Sequence, residues 1–373
     1  MKPISFTFTR RKMLSGGDKK YCKINPNLAF DGEGIVLLSY THLLLSGSDV
    51  FYGGYVCKST DGGHTFGEPV LQTALADSFS EGIRTHYSAT PFYNKHHKRW
   101  FGLGNSTLYR DERHPILRNG ISLGEAIYAE FDIESGCFTS HKPLDFPLAC
   151  SFVVPMAQMI EMDNGDILVP FYYASEEFPK ARCVTVRYAF TKEGLKVVAV
   201  GKPLVGDEHA RGLGEPSLER LHGKYYMTIR CDETAYWAVS EDGLSFSELR
   251  EWTFDNGLPI GNYNTQQHWM ACEEGLFLAY TRRGAHNDHI FRHRAPIFMA
   301  RFDEERGCLL RDTEVILVPE LGARLGNFNA YRATPKESWL ITAEWMQNDP
   351  LGWDACSVYG SDNSIWWAKV KWE

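Results

Sequence analysis

Six short segments of this 373-residue chain set polar or charged side chains immediately ahead of apolar runs. They are Asn25-Pro26-Asn27, Arg84-Thr85-His86-Tyr87, Pro155-Met156-Ala157-Gln158, Arg211-Gly212-Leu213-Gly214-Glu215-Pro216, Asn264-Thr265-Gln266-Gln267-His268-Trp269 and Arg324-Leu325-Gly326-Asn327-Phe328-Asn329. These residue types suit a polar, anionic ligand. Arginine presents a planar fork of donors that fits a carboxylate or sulfate, which makes Arg211 and Arg324 candidate anion ligands. A neutral imidazole is poised for proton transfer near pH 7, so His86, beside Tyr87, and His268 are candidate acid–base groups, with Glu215 as a carboxylate. Gln158, Gln267 and Asn327 offer hydrogen bonds to the polar groups of such a ligand, and Trp269 a ring for stacking. The densest cationic stretch runs from Arg282 to Arg294 and adds Arg282 and Arg283 to the anion-binding candidates. The alternative is a loop whose charges pair locally with Asp303, Glu304 and Glu305. His286, Asp288 and His289 match no strong metal-site spacing, so neither metal nor cofactor is expected.

These segments can act together only if the chain brings six strand starts to one place. Stretches rich in β-branched and aromatic residues recur between Gly, Asp and Asn turns, and no long stretch keeps a 3.6-residue period. Six hairpins read as apolar strand, turn, apolar strand: Leu28 to Tyr40, His86 to Gly104, Met156 to Tyr173, Pro216 to Arg230, Trp269 to Thr281 and Ala330 to Trp345. Each is followed by a second strand pair, and units of roughly 50 to 60 residues account for the chain, as in a propeller. The terminal stretches Pro3 to Thr9 and Ser364 to Trp372 both read as strands; pairing them would close the ring in the last blade and remove exposed sheet edges. The expected fold is therefore an all-β, six-bladed β-propeller, with residues 1–373 as a single domain. Seven blades, or two stacked β-sandwiches, are the alternatives. In a propeller the inner strands run along the axis, so side chains at their starts converge on one face.

Ser59-Thr60-Asp61-Gly62-Gly63-His64-Thr65-Phe66 fits the pattern Ser-x-Asp-x-Gly-x-Thr-aromatic, and a weaker, shorter copy stands at Ser240-Glu241-Asp242-Gly243-Leu244-Ser245-Phe246. In such a turn the Asp carboxylate accepts backbone N–H bonds and glycine takes the positive-φ position. The pattern is that of an Asp box (BNR repeat), and with it the chain resembles the sialidase, or neuraminidase, superfamily of β-propellers. Glu215-Pro216-Ser217-Leu218, followed by Leu221, Gly223 and Arg230, is similar to the stretch in which that family opens an inner strand with a Glu and closes the hairpin with an Arg. The resemblance implies that Glu215 supports a tyrosine nucleophile and that Arg230 is one of three arginines clamping a substrate carboxylate. It also implies a general-acid role for Asp49, ten residues before Ser59. Two departures stand out. Lys23-Ile24-Asn25-Pro26 replaces the usual Arg-Ile-Pro, so the first clamp arginine is missing, and the last blade offers Phe328, with Tyr331 further in, where the nucleophile is expected.

A net charge of −8 argues against a nucleic-acid partner, and no apolar run approaches the roughly 20 residues that span a membrane. The nine scattered cysteines read as free thiols of a reducing compartment, hence a cytoplasmic protein, or a secreted or periplasmic one if a signal peptide was removed. The leading expectation is a sialidase-like glycoside hydrolase acting on an acidic sugar, sialic or uronic, of an oligosaccharide or glycoconjugate. A lyase cleaving uronic-acid glycans by β-elimination, with His86, Tyr87 or His268 as base, and a non-catalytic glycan-binding propeller are the alternatives.

Overall fold

A computed structural model describes residues 3–118, 120–206, 211–347 and 352–373. Six sheets of four or five strands follow one another along the chain. The first blade consists of Tyr21–Phe30, Val36–Leu44, Phe51–Ser59 and Val70–Leu71. The second is Ile83–Asn94, Arg99–Tyr109, Ala126–Asp132 and Cys137–Pro143, with Ser78–Ser80 added at the inner edge. In the third, Phe152–Pro155 and Ile160–Glu161 both pair with Ile167–Ala174, and Arg182–Thr191 and Gly194–Val200 lie outside them. Gly214–Leu221, Lys224–Arg230, Ala235–Ser240 and Arg250–Glu251 make the fourth. The fifth is His268–Ala271, Leu276–Tyr280 and Ile297–Asp303, edged by Cys308–Leu309 and Val315–Val318. The sixth is Phe328–Thr334, Glu337–Ala343, Ile365–Trp372 and, outermost, Phe6–Met13. The terminal strands pair antiparallel from Phe6 with Trp372 to Met13 with Ile365, closing the ring as expected. The six hairpins read from sequence are the inner hairpins of the six blades, and neither the seven-bladed nor the two-sandwich arrangement is present.

Apolar side chains hold blade to blade. Along Ile365–Trp372, Trp366, Ala368, Val370 and Trp372 pack on the fifth blade beside Phe277 and Met299, while Ile365 and Trp367 pack on the first beside Val36 and Cys57. A strand buried on both faces loses its polar alternation, which is why these strands read as nearly continuous apolar runs. Comparable clusters fill the other four gaps between blades, and each side chain so buried contributes about 1.5–3 kcal/mol. The Ser59 to Phe66 turn joins the outer strands of the first blade. Asp61 accepts hydrogen bonds from the Thr65 hydroxyl (2.6 Å) and backbone N–H and from the Ser59 hydroxyl (2.7 Å), and these hold its carboxyl below the usual range. Gly63 (φ 80°) lets that turn approach the last blade, since a Cβ there would lie 2.4 Å from the Trp367 ring. All nine cysteines are free and seven are buried. Among the described residues no helix is long and apolar enough to cross a membrane.

Two inner strands share a local device. In the first blade the register shifts between Ile24 and Asn27 with Asn25 at φ 50°, and in the fourth between Gly214 and Ser217 with Glu215 at φ 43°. Both residues precede proline, which disfavours a left-handed conformation. A bulge of this kind re-aims the side chain out of the sheet's own packing, and such strain is held only where the surrounding structure imposes it.

Candidate functional site

The inner strands open onto one cavity of about 1270 Å³ with walls from all six blades. Asn25 and Asn27 come from the first, Ser88 and Thr90 from the second, Met156 and Tyr172 from the third, and Glu215 and Arg230 from the fourth. The fifth supplies Gln266, Arg292 and Arg294, and the sixth Arg324, Asn327 and Asn329. Asp49, Arg110, Arg113 and His114 reach the cavity from loops of the first two blades.

On the side of the fourth to sixth blades the wall is cationic. Arg230 pairs with Glu215 at 2.7 Å, and Arg211 grips Asp232 with bonds of 2.6 and 2.9 Å. Arg292 and Arg294 instead bond to neutral acceptors: Arg292 to the Asn264 side chain (3.3 Å), Arg294 to the Asn264 main-chain carbonyl (2.7 Å) and the Asn327 side chain (3.5 Å). Arg324 lies over the Phe291 ring, 4.1 Å from its centroid. Burial pushes the Glu215 carboxyl up, but Arg230, helped by Arg294, more than reverses this and holds it below its ordinary value. Burial, then Arg230, then Arg292 and Arg324, bring the Arg294 guanidinium down to about 9 against the pull of Glu215. It therefore stays charged at pH 7, and an anion entering the cavity would relieve its repulsion with its neighbours.

Tyr172 is the tyrosine on this wall. Burial first, then Glu215, raise its phenol; Arg230 opposes them, and Asp49 adds a smaller push upward. The hydroxyl therefore lies in the field of all three charged groups. Asp49 sits exposed at φ 54°, with its backbone carbonyl fixed by the Tyr109 hydroxyl at 3.0 Å.

Of the residues singled out from sequence, Asp49, Arg211, Glu215, Arg230, Arg324 and Asn327 meet around the cavity. The others do not, and each is held elsewhere by a specific partner. His86 is 1% exposed and bonds Asp77 at 2.8 Å, while Tyr87 packs its ring on His141. His268 is fully buried against the Ser217 hydroxyl (2.8 Å) and the Phe328 ring; burial, against the pull of Glu215, lowers it to about 4, so it is neutral. Gln158 spans from the third blade to the fifth, bonding both backbone groups of Trp269. Gln267 bonds Thr228 and Asn262, and Trp269 is packed in the core at 1% exposure and offers no stacking face. Arg282 pairs with Glu314 (2.8 Å), away from Asp303, Glu304 and Glu305, and Arg283 lies over Tyr263. His289 pairs with Glu320 and His293 with Asp288. In the last blade Phe328 is buried, and the Tyr331 hydroxyl bonds the Phe30 carbonyl.

Sequence reasoning missed Arg292, Arg294, Asn264 and Tyr172. The arginines lie in the cationic segment already noted, but the left-handed residues Arg292 (φ 57°) and His293 (φ 52°), which steer that segment inward, leave no sequence signal. Tyr172 sits in the apolar run Val169-Pro170-Phe171-Tyr172-Tyr173, where nothing tells the cavity-facing tyrosine from the core-facing one.

No family model and no curated protein sequence matches the chain. Solved structures do. A protein of unknown function from Dyadobacter fermentans superposes with a TM-score of 0.65 at 15% identity, covering 98% of this chain and 99% of that one. A Hadza microbial sialidase gives 0.63 at 10% identity, over 93% of this chain and 65% of the other. An α-L-arabinofuranosidase from Fusarium graminearum gives 0.55 at 12% identity, over 97% of both chains. At these identities the likeness establishes the six-bladed propeller fold.

Proposed function

We propose that residues 1–373 form one propeller domain that hydrolyses a glycosidic bond of an acidic sugar, sialic or uronic, in an oligosaccharide or glycoconjugate. The observation that carries this reading is the pairing of a cationic wall, Arg230, Arg292, Arg294 and Arg324, with the adjacent carboxylate Glu215 and phenol Tyr172 on one cavity. The arginines would bind the substrate carboxylate and fix the ring, so that binding away from the scissile bond orients the reacting carbon. An oxocarbenium-like transition state gains from nearby negative charge, which Glu215 supplies directly and through Tyr172. Asp49, on the wall of the first blade, would protonate the leaving oxygen. The sialidase and arabinofuranosidase among the structural neighbours support a carbohydrate substrate. The bases expected from sequence for β-elimination, His86, Tyr87 and His268, are absent from the cavity wall, so that reading would have to rest on Tyr172 or His114 instead.

The test is to incubate the protein with sialosides and uronate oligosaccharides while following new reducing ends together with the absorbance of unsaturated uronate. New reducing ends without the chromophore are expected. Both signals together would replace hydrolysis by elimination, and binding without either would make the propeller a glycan-binding protein.

A further inference from the structure

Asn264 stands between the fourth and fifth blades, behind the guanidinium groups and off the cavity wall. Its backbone is held on both sides: the N–H donates to the Cys231 carbonyl at 2.8 Å, and the carbonyl accepts from Arg294 Nη2 at 2.7 Å. Its side-chain Oδ1 accepts from Arg230 Nη2, from Arg211 Nη2 at 3.0 Å and from Arg292 Nη1 at 3.3 Å. Three donors on one atom identify it as the amide oxygen. One uncharged residue thus touches four of the cavity's arginines.

We propose that Asn264 is the positioning residue that assembles the anion-binding face, gathering Arg211, Arg230 and Arg292 on one neutral acceptor and Arg294 on its carbonyl so that their charge faces the ligand. The inference rests on the acidic-sugar reading above. Like-charged guanidinium groups at this spacing repel; Asp232 and Glu215 anchor Arg211 and Arg230 from one side, and the shared amide oxygen ties both of them to Arg292. A carboxylate could hold them in the same geometry, but it would also supply the negative charge that the ligand must bring. The amide orients without neutralising. The left-handed backbone at Asn264 (φ 48°) fits, since asparagine, aspartate and glycine tolerate it best.

Two variants separate the roles. Asn264→Gly keeps the backbone and the Arg294 bond but removes the side-chain acceptor. Asn264→Asp keeps shape and acceptor but adds a charge. The probes are N-acetylneuraminic acid and glucuronic acid, each beside its methyl ester, with dissociation constants from calorimetric titration and folding checked by melting temperature. The wild type is expected to prefer the acid over the ester for at least one sugar. Both variants should lose that preference by about tenfold or more while ester affinity stays within about threefold, a split that general loosening would not produce. A wild type with no acid preference would overturn the acidic-sugar reading. A wild-type preference that survives intact in folded Asn264→Gly would overturn the role of Asn264 alone, and one that survives in Asn264→Asp would overturn the need for a neutral acceptor.

Discussion

Replacing Glu215 with Gln separates two effects that the geometry ties to one carboxylate. Glu215 lies 2.7 Å from Arg230, and the two side chains are 22% and 15% exposed. An anion held by the far side of that guanidinium and by Arg294 would stand about 6 Å from the carboxylate, where like charges repel by about 3 kcal/mol at an effective dielectric near 20. With the cavity open to water, about half of that survives, so the glutamine variant should bind a free acidic sugar about tenfold more tightly. Turnover should move the other way, falling by a factor on the order of 10² or more, the scale of losing one charged group from the chemical step. Glutamine keeps the shape and an acceptor for Arg230, so stability should fall by only about 1–3 kcal/mol, between the values for exposed and buried pairs. Steady-state kinetics on an acidic glycoside, calorimetry with the free acid and a thermal melt measure the three quantities. Full turnover in the folded variant would remove Glu215 from the mechanism. Weaker binding of the acid would show that the carboxylate's main task is to hold Arg230 in place and would refute the repulsion argument.

Tyr172→Phe should reduce turnover by about 10- to 10³-fold and leave the dissociation constant of the free acid within about threefold, because Glu215 is the charged group that acts on the phenol most strongly; an unchanged kcat in the folded variant would exclude it from the reaction. Arg294→Met should weaken the free acid by about 10²-fold, the scale of a charge-assisted pair, while the melting temperature holds or rises, since burial and like charges already disfavour that guanidinium; a large drop in melting temperature with unchanged binding would contradict this. His268 takes its proton near pH 4 when folded but near 6.5 when unfolded. Between those values the unfolded state holds more protons, so stability should fall by about 3 kcal/mol as pH drops through the window, and His268→Gln should flatten that part of a urea-unfolding series; identical pH profiles for the two proteins would refute it.

The blades are legible in the sequence because each hairpin carries its own turn chemistry. Asp31-Gly32-Glu33-Gly34 and Asp163-Asn164-Gly165-Asp166 stop apolar runs whose length suits a strand buried on both faces. The terminal strands were readable for the same reason. Glu215 and Arg230 could be singled out by the resemblance of their hairpin to the sialidase stretch that a Glu opens and an Arg closes, and the segment containing Arg292 and Arg294 by its charge. Which way each side chain faces was not legible, because facing depends on strand parity and on bulges that neighbouring blades impose. His268 lies one parity step from Trp269, and both go into the core. Tyr172 and Tyr173 point to opposite faces of one strand: Tyr172 packs toward the fourth blade and reaches the cavity, and Tyr173 packs into the cluster between the second and third. His86 resembled a free imidazole until Asp77, nine residues earlier, proved to be its partner. Asn264 looked like one more polar residue ahead of a strand, since its four arginines come from three separate stretches of chain.

The most direct test of the account is the ratio of kcat/KM for an acidic glycoside to that for its methyl ester, measured on the wild-type protein with the released sugar quantified. If the arginines orient the substrate through its carboxylate while Glu215 acts on the reacting centre, neutralising that carboxylate should cost about 10²-fold or more in kcat/KM. An ester turned over as fast as its acid would contradict the central claim, because the cationic wall would then have no part in catalysis.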